Sequence, residues 1–150
     1  FHPAGALGRK LLTVREVMRT GARLPLVSPA TPVGEVTAAI SRARAGSAPV
    51  VDESGRLLGI FTDGDFRRMW LSETSAPDKG PDVAGRLGRV LLQPVGEVMT
   101  APCLSIEDGR LAAEAMRVFS ARRINEIPVV DAAGRVVGLL DVQDIVGLAL

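Results

Sequence analysis

Thr62, Asp63 and Asp65 stand where an apolar run meets a helix-like stretch, and Arg67 and Arg68 follow at once. A hydroxyl and a carboxylate three positions apart at a helix start lie at the end where free N–H groups and the positive pole of the macrodipole favour anions. A threonine hydroxyl can bond a phosphate or ribose oxygen, and an aspartate can accept from two neighbouring ribose hydroxyls. Arginines on the first turn could fork onto a phosphate or carboxylate. Together these groups suit a nucleotide. The same spacing also fits an ordinary helix cap by Thr62 or Asp63, with Arg67 and Arg68 on a solvated face.

The chain writes this stretch twice. PVVDESGRLLGIFTDGDF, from Pro49, returns as PVVDAAGRVVGLLDVQDI, from Pro128, at an offset of 79. Such an internal duplication governs every later fold argument. VREVM, Val14 to Met18, likewise returns as VGEVM, Val95 to Met99, at an offset of 81. The second copy of the polar junction departs from the first: Asp141 replaces Thr62 and Val142 replaces Asp63, leaving Asp144 with no hydroxyl partner. Two carboxylates there would repel a phosphate. The expectation is one good site on Thr62 and Asp65 and a degraded second site at Asp141 and Asp144.

The elements that must carry these residues read alike in both copies. Val50 and Val51 follow a proline suited to a strand's first position, Asp52 to Gly55 supplies a turn, and Leu57 to Thr62 is a second apolar run, which predicts a hairpin. Gly59 and Gly138 fall inside the second strand, where glycine marks close approach of another backbone or a ligand. Upstream, Leu24 to Val27 reads as a strand. Thr31 then reads as an N-cap with Pro32 at the first helical position. Val33, Val36, Ile40 and Ala43 form the buried stripe, and Gly46 is the expected stop. In the second copy Leu104 and Ile106 read as the strand and Asp108 as the cap, with Ala112, Ala115, Met116 and Phe119 inward.

Each copy is therefore strand, helix, strand, strand, helix. Residues 1–13 read as a connector, 14–71 as the first repeat, 72–94 as a linker with an exposed loop and then a short helix, and 95–150 as the second repeat. The fold class is α+β, two repeats packed sheet to sheet about a pseudo-twofold axis, with two related clefts suited to small ligands.

Bulk composition narrows the function classes. Eighteen basic residues against 17 acidic ones leave a net charge of +1, with no excess pointing to nucleic acid or membrane. Aromatic content of 3% without tyrosine argues against a base-stacking surface. Cys103, the single cysteine, is expected to be a small apolar filler, with no disulfide and no metal cluster. No apolar run reaches the roughly 18 residues needed to span a bilayer, and a cytoplasmic location is expected.

The doubled strand-helix-strand-strand-helix unit, the PVVD-x-x-G-R-x-x-G pattern and the closing Thr-x-x-Asp resemble a tandem CBS-domain pair, or Bateman module, over roughly residues 14 to 150. More narrowly, FHPAGALGRKLL, the VM-R-T-G segment and GIFTDGDFRR resemble the junction and CBS region of bacterial arabinose 5-phosphate isomerases, whose sugar-isomerase (SIS) domain precedes the pair. That resemblance implies that residues 1–13 are the remnant of a missing isomerase domain. It also implies that His2 matches a parent active-site histidine, with Ala4 in place of the usual glycine. No catalytic residue is expected in this chain alone, because isomerisation needs a further acid/base set that His2 does not supply. In CBS pairs the ligand on one repeat's aspartate is also touched by the other repeat's lead-in strand, which implies Met99, Thr100, Pro102 and Cys103 with Asn125 and Glu126. The function so implied is a regulatory nucleotide or nucleotide-sugar binding module, sensing CMP-Kdo as feedback ligand and requiring no cofactor. The isomerase domain and a second copy of the chain are the implied partners. Two other readings stay open, a purely structural dimerisation module and an AMP or ATP sensor.

Overall fold

The computed structural model describes residues 11–75 and 82–148. In chain order the elements are α1 (Val14–Val17), α2 (Val33–Ala43), β1 (Ser47–Val51), β2 (Leu57–Thr62), α3 (Asp63–Ser75) and α4 (Val83–Leu92), followed by β3 (Ile106–Glu107), α5 (Ala112–Arg122), β4 (Glu126–Val130), β5 (Val136–Asp141) and α6 (Val142–Val146). Short 3-10 turns at Gly21–Arg23 and Val95–Glu97 complete the set. β1 and β2 form an antiparallel hairpin, and β4 and β5 form another with β3 added parallel to β4. Gly55 and Gly134 take φ of 87° and 83° in the two hairpin turns, a region glycine enters at no steric cost.

The stripe expected on α2 is buried, Val33 and Val36 fully. Burying such side chains contributes roughly 1.5–3 kcal/mol each. The ends of the helices differ from expectation. Thr31 does not cap α2, because its hydroxyl oxygen lies 3.2 Å from the Ser28 N–H and 3.0 Å from the Ser28 hydroxyl; the N-cap position is Pro32. Gly46 is not the stop either. Arg44 takes the left-handed conformation at φ 54°, and its N–H reaches the carbonyls of Ile40 and Ser41. Arg123 ends α5 in the same way. Asp108 is not a cap: it is buried and ion-paired with Arg15, and the cap position of α5 falls on Leu111.

The strand expected at Leu24 to Val27 shrinks to one parallel bridge between Val27 and Val50. The internal repeat supplies the reason. In the second copy the Asp108 N–H donates to the Val130 carbonyl at 2.9 Å and extends the ladder, whereas the equivalent residue of the first copy is Pro29, which has no N–H to give. β1 starts two residues ahead of Pro49, because Ser47 and Ala48 are buried and pair with Thr62 and Phe61. Ser72 to Ser75, expected in a loop, continue α3, where the Glu73 carboxylate accepts from Arg89 of α4 at 2.8 Å.

Two compact units emerge, and each combines sequence from both repeats. One is Pro25–Cys103; the other joins the chain up to Leu24 with Leu104 onward. In the first, Val95 and Gly96 donate to the carbonyls of Thr31 and Pro29, at 2.9 Å each. In the second, Val14 and Arg15 donate to the carbonyls of Arg110 and Asp108, at 2.7 and 3.0 Å. VGEVM thus completes the unit holding the first hairpin, and VREVM completes the unit holding the second. The first core gathers Val27, Val36, Val50, Phe61 and Val95, and the second gathers Val14, Phe119, Ile127, Leu140 and Ile145.

Candidate functional site

In the unit Pro25–Cys103, β2 runs directly into α3 and places Thr62 and Asp65 at their junction. Thr62 and Asp65 cap one another. The Asp65 carboxylate accepts from the Thr62 N–H at 2.9 Å, and the Thr62 hydroxyl oxygen accepts from the Asp65 N–H at 3.3 Å. This reciprocal pattern satisfies donors that a helix start otherwise leaves orphaned. The spacing read from sequence as a ligand signal is therefore also a cap.

Asp65 does more than cap, because it is only 4% exposed and its carboxylate has further partners. The Thr62 hydroxyl lies 3.1 Å from Oδ2, the Thr100 hydroxyl donates to Oδ1 at 2.9 Å, and Arg68 pairs with Oδ1. Thr100 arrives on the lead-in segment, held by paired backbone bonds with Ile60 at 3.0 and 2.8 Å. Its approach requires Gly59: a Cβ there would stand 2.7 Å from both the Met99 sulfur and the Thr100 carbonyl oxygen. The close approach foreseen at Gly59 is made by Met99 and Thr100 of the lead-in.

Several other residues singled out from sequence stand apart from this hydrogen-bonded group. Asp63 and Arg67 are exposed, and Pro102 is exposed after a cis peptide bond. Cys103 is half-buried, and burial pushes its thiol pKa up, away from the reactive thiolate.

The other unit repeats the geometry with different chemistry. Arg19, at the offset of 81 from Thr100, exchanges backbone bonds with Leu139 at 2.8 and 3.0 Å, just as Thr100 does with Ile60. Met18 lies against Gly138 as Met99 lies against Gly59. The Arg19 side chain then forks onto Asp144, with Nε 3.0 Å from Oδ2 and the second nitrogen 3.2 Å from Oδ1. It also comes within 3.8 Å of Asp141 and 3.9 Å of Glu126. Glu126 sits opposite Asp141 in the β4–β5 register, and the Asn125 carbonyl accepts from Val142 at 2.8 Å. Glu126, Asp141 and Asp144 therefore belong to the Arg19 group, while Asn125 is exposed and only its carbonyl closes the start of α6.

Arg19 is the residue that sequence reasoning missed. The signal was present: the alignment of VREVM with VGEVM places Arg19 on Thr100. The two carboxylates expected there to repel a phosphate are met by the Arg19 guanidinium, a counter-charge the sequence reading did not foresee. His2 lies outside the described residues. No group of three His, Cys, Asp or Glu able to hold a metal occurs among the described residues, and no helix among them is long and apolar enough to cross a membrane. A groove of ≈ 630 Å³ between β3 and α5, walled by Ile106, Val118 and Val130, contains none of the candidate site residues named from sequence.

Two α+β units of equivalent sequence, each with an acidic strand-to-helix junction met by a lead-in segment, define a tandem-repeat module. A family model described as the CBS domain matches residues 14–72 and 95–150. The chain belongs to the CBS domain family. Among curated proteins it is 39% identical over 145 residues to the arabinose 5-phosphate isomerase KdsD of Pseudomonas aeruginosa, covering 96% of this chain and 40% of that one. It is 34% identical over 144 residues to GutQ, an arabinose 5-phosphate isomerase of Escherichia coli K12, covering 95% and 40%. The chain thus spans about two fifths of the length of these relatives. Among solved structures it is similar to CBSX2 in complex with AMP, with 25% identity, a TM-score of 0.72 and coverage of 92% of this chain and 96% of that one. A CBS domain of a membrane protein from Sphaerobacter thermophilus is similar at 25% identity and a TM-score of 0.77, covering 97% and 92%.

Proposed function

We propose that this chain is the regulatory nucleotide-binding module of an arabinose 5-phosphate isomerase, reading CMP-Kdo as the end product of the route its parent enzyme feeds. The observation that carries the reading is Asp65, a buried carboxylate at a helix start whose Oδ1 is held by partners that can be exchanged. Those partners are the Thr100 hydroxyl, which can rotate, and Arg68, whose side chain is 68% exposed. A ribose diol can replace both on the carboxylate, while the released Arg68 and neighbouring Arg67 can fork onto a phosphate or carboxylate. CMP-Kdo offers a ribose, a phosphate and a carboxylate. The identities of 34–39% to arabinose 5-phosphate isomerases over nearly all of this chain support the choice of parent. In that parent the catalytic set belongs to an isomerase domain. The protein works in the cytoplasm as a homo-oligomer.

Calorimetric titration with CMP-Kdo, CMP, AMP and ATP tests the reading, with the tightest binding expected for CMP-Kdo. An AMP or ATP preference replaces it with an adenosine-nucleotide sensor, which the AMP complex of the CBSX2 relative favours. Silence with all four, and an unmoved melting temperature, leaves a module that only holds copies of the enzyme together.

A further inference from the structure

We infer that Arg19 is the built-in occupant of the Asp144 junction and the residue that confines nucleotide binding to Asp65, an inference that rests on the reading of Asp65 as a nucleotide site. The two junctions share the backbone pairing of the lead-in segment with the second hairpin strand, so what the lead-in delivers differs by its side chain. At the Asp65 junction the residue delivered by the lead-in segment is Thr100, which gives one hydroxyl bond and leaves the cation to Arg68 from the solvent side. At the Asp144 junction the same backbone position delivers a guanidinium. Arg19 takes both Asp144 oxygens, stands within 4 Å of Asp141 and Glu126, and is only 12% exposed along its side chain.

A forked pair uses the carboxylate edge that a diol would need. Arg68 can leave Asp65 by swinging into water. Arg19 has no such route, because backbone bonds to Leu139 fix its base and three carboxylates surround its head. Asp141 completes the exclusion, since its side chain bonds the Gln143 N–H at 2.8 Å, where the other junction offers the Thr62 hydroxyl. A nucleotide would have to expel a part-buried, forked cation and leave Asp141, Asp144 and Glu126 facing its phosphate.

Arg19→Thr combined with Asp141→Thr gives the Asp144 junction the two hydroxyls that the Asp65 junction has. Calorimetry with AMP and with CMP is expected to give one site per chain in the wild type and two in the double variant. Adding Asp65→Asn is expected to remove one site from each. Two sites in the wild type, or one in a double variant that retains the wild-type circular dichroism spectrum, overturns the inference. No binding in the wild type overturns the nucleotide reading of Asp65 instead; the double variant then still decides, because new binding supports exclusion by Arg19 and continued silence overturns it. A measurement on the wild type alone guards against a misfolded variant. On saturation with AMP or CMP the Arg68 Nε–H resonance is expected to shift and that of Arg19 to stay; a shift at Arg19 overturns the inference.

Discussion

Arg19 and Arg68 both meet a junction aspartate, yet they should weigh differently. Arg68 reaches in from solvent with its side chain 68% exposed, so water can replace much of what it gives the Asp65 carboxylate. Asp65 keeps its bonds to Thr62 and Thr100 when Arg68 is lost. Arg19 is part-buried among three carboxylates, 12% exposed along its side chain, and removing one partner of a buried pair strands charge at a cost of up to roughly 3–5 kcal/mol. Urea unfolding at neutral pH should therefore find Arg19→Met destabilised by about 3 kcal/mol and Arg68→Met within about 1 kcal/mol of wild type. Equal losses would show that the two cations are equivalent.

The Asp52 carboxylate is a second case at this scale, held below its ordinary pKa first by the Ser54 hydroxyl and then by the Arg56 N–H. A lowered folded-state pKa adds stability above the unfolded value, lost as pH falls through the folded one. The gap between the urea midpoints of wild type and Asp52→Asn should thus be full at about pH 6 and shrink steadily as the pH falls below about 4. A gap that widens in acid would contradict this sign.

At the scale of elements, the two mid-strand glycines are spacers for methionine. Gly138 sits under Met18 so closely that an added methyl would collide with the thioether, and Gly59 sits likewise under Met99. Overpacking of this kind costs about 1–3 kcal/mol. Gly138→Ala should lose that much in a chemical denaturation series. Met18→Ala in the same chain should recover part of it, because the methyl then fills space the thioether vacates. Failure of the second change to recover anything would place the strain in the β5 backbone. The glycines were legible as points of close approach, but what approaches them was not, because Met18 and Met99 lie 120 and 40 residues away in sequence. The same limit hid the shortened first strand: the ladder bond that Pro29 removes is visible only beside Asp108.

At the scale of the molecule, each compact unit is completed by a lead-in segment from the other sequence repeat. Val14 is fully buried in the unit holding the second hairpin, and Val95 is fully buried in the unit holding the first. Val14→Asp, which buries a charge without a partner at a cost of several kcal/mol, should speed hydrogen exchange chiefly at 126–141. Val95→Asp should do so chiefly at 47–62. Protection lost instead within the mutated repeat would show that the repeats fold as written in sequence. If a nucleotide binds the folded chain alone, saturation at 100 times its Kd should add about 2.7 kcal/mol to stability.

Duplication, the hairpins, the helices flanking them and the polar junction were written in the amino-acid order, because local turn chemistry and two matched offsets specify them without reference to distant contacts. Thr62 and Asp65 were likewise legible as a pair, though their spacing serves as a helix cap in every case. Contacts between segments far apart along the chain were not legible: Thr100 completing Asp65, and Arg19 neutralising Asp144, Asp141 and Glu126. Periodicity reports which face of an element is buried, whereas the partner of a buried charge depends on which lead-in segment folds back onto which hairpin.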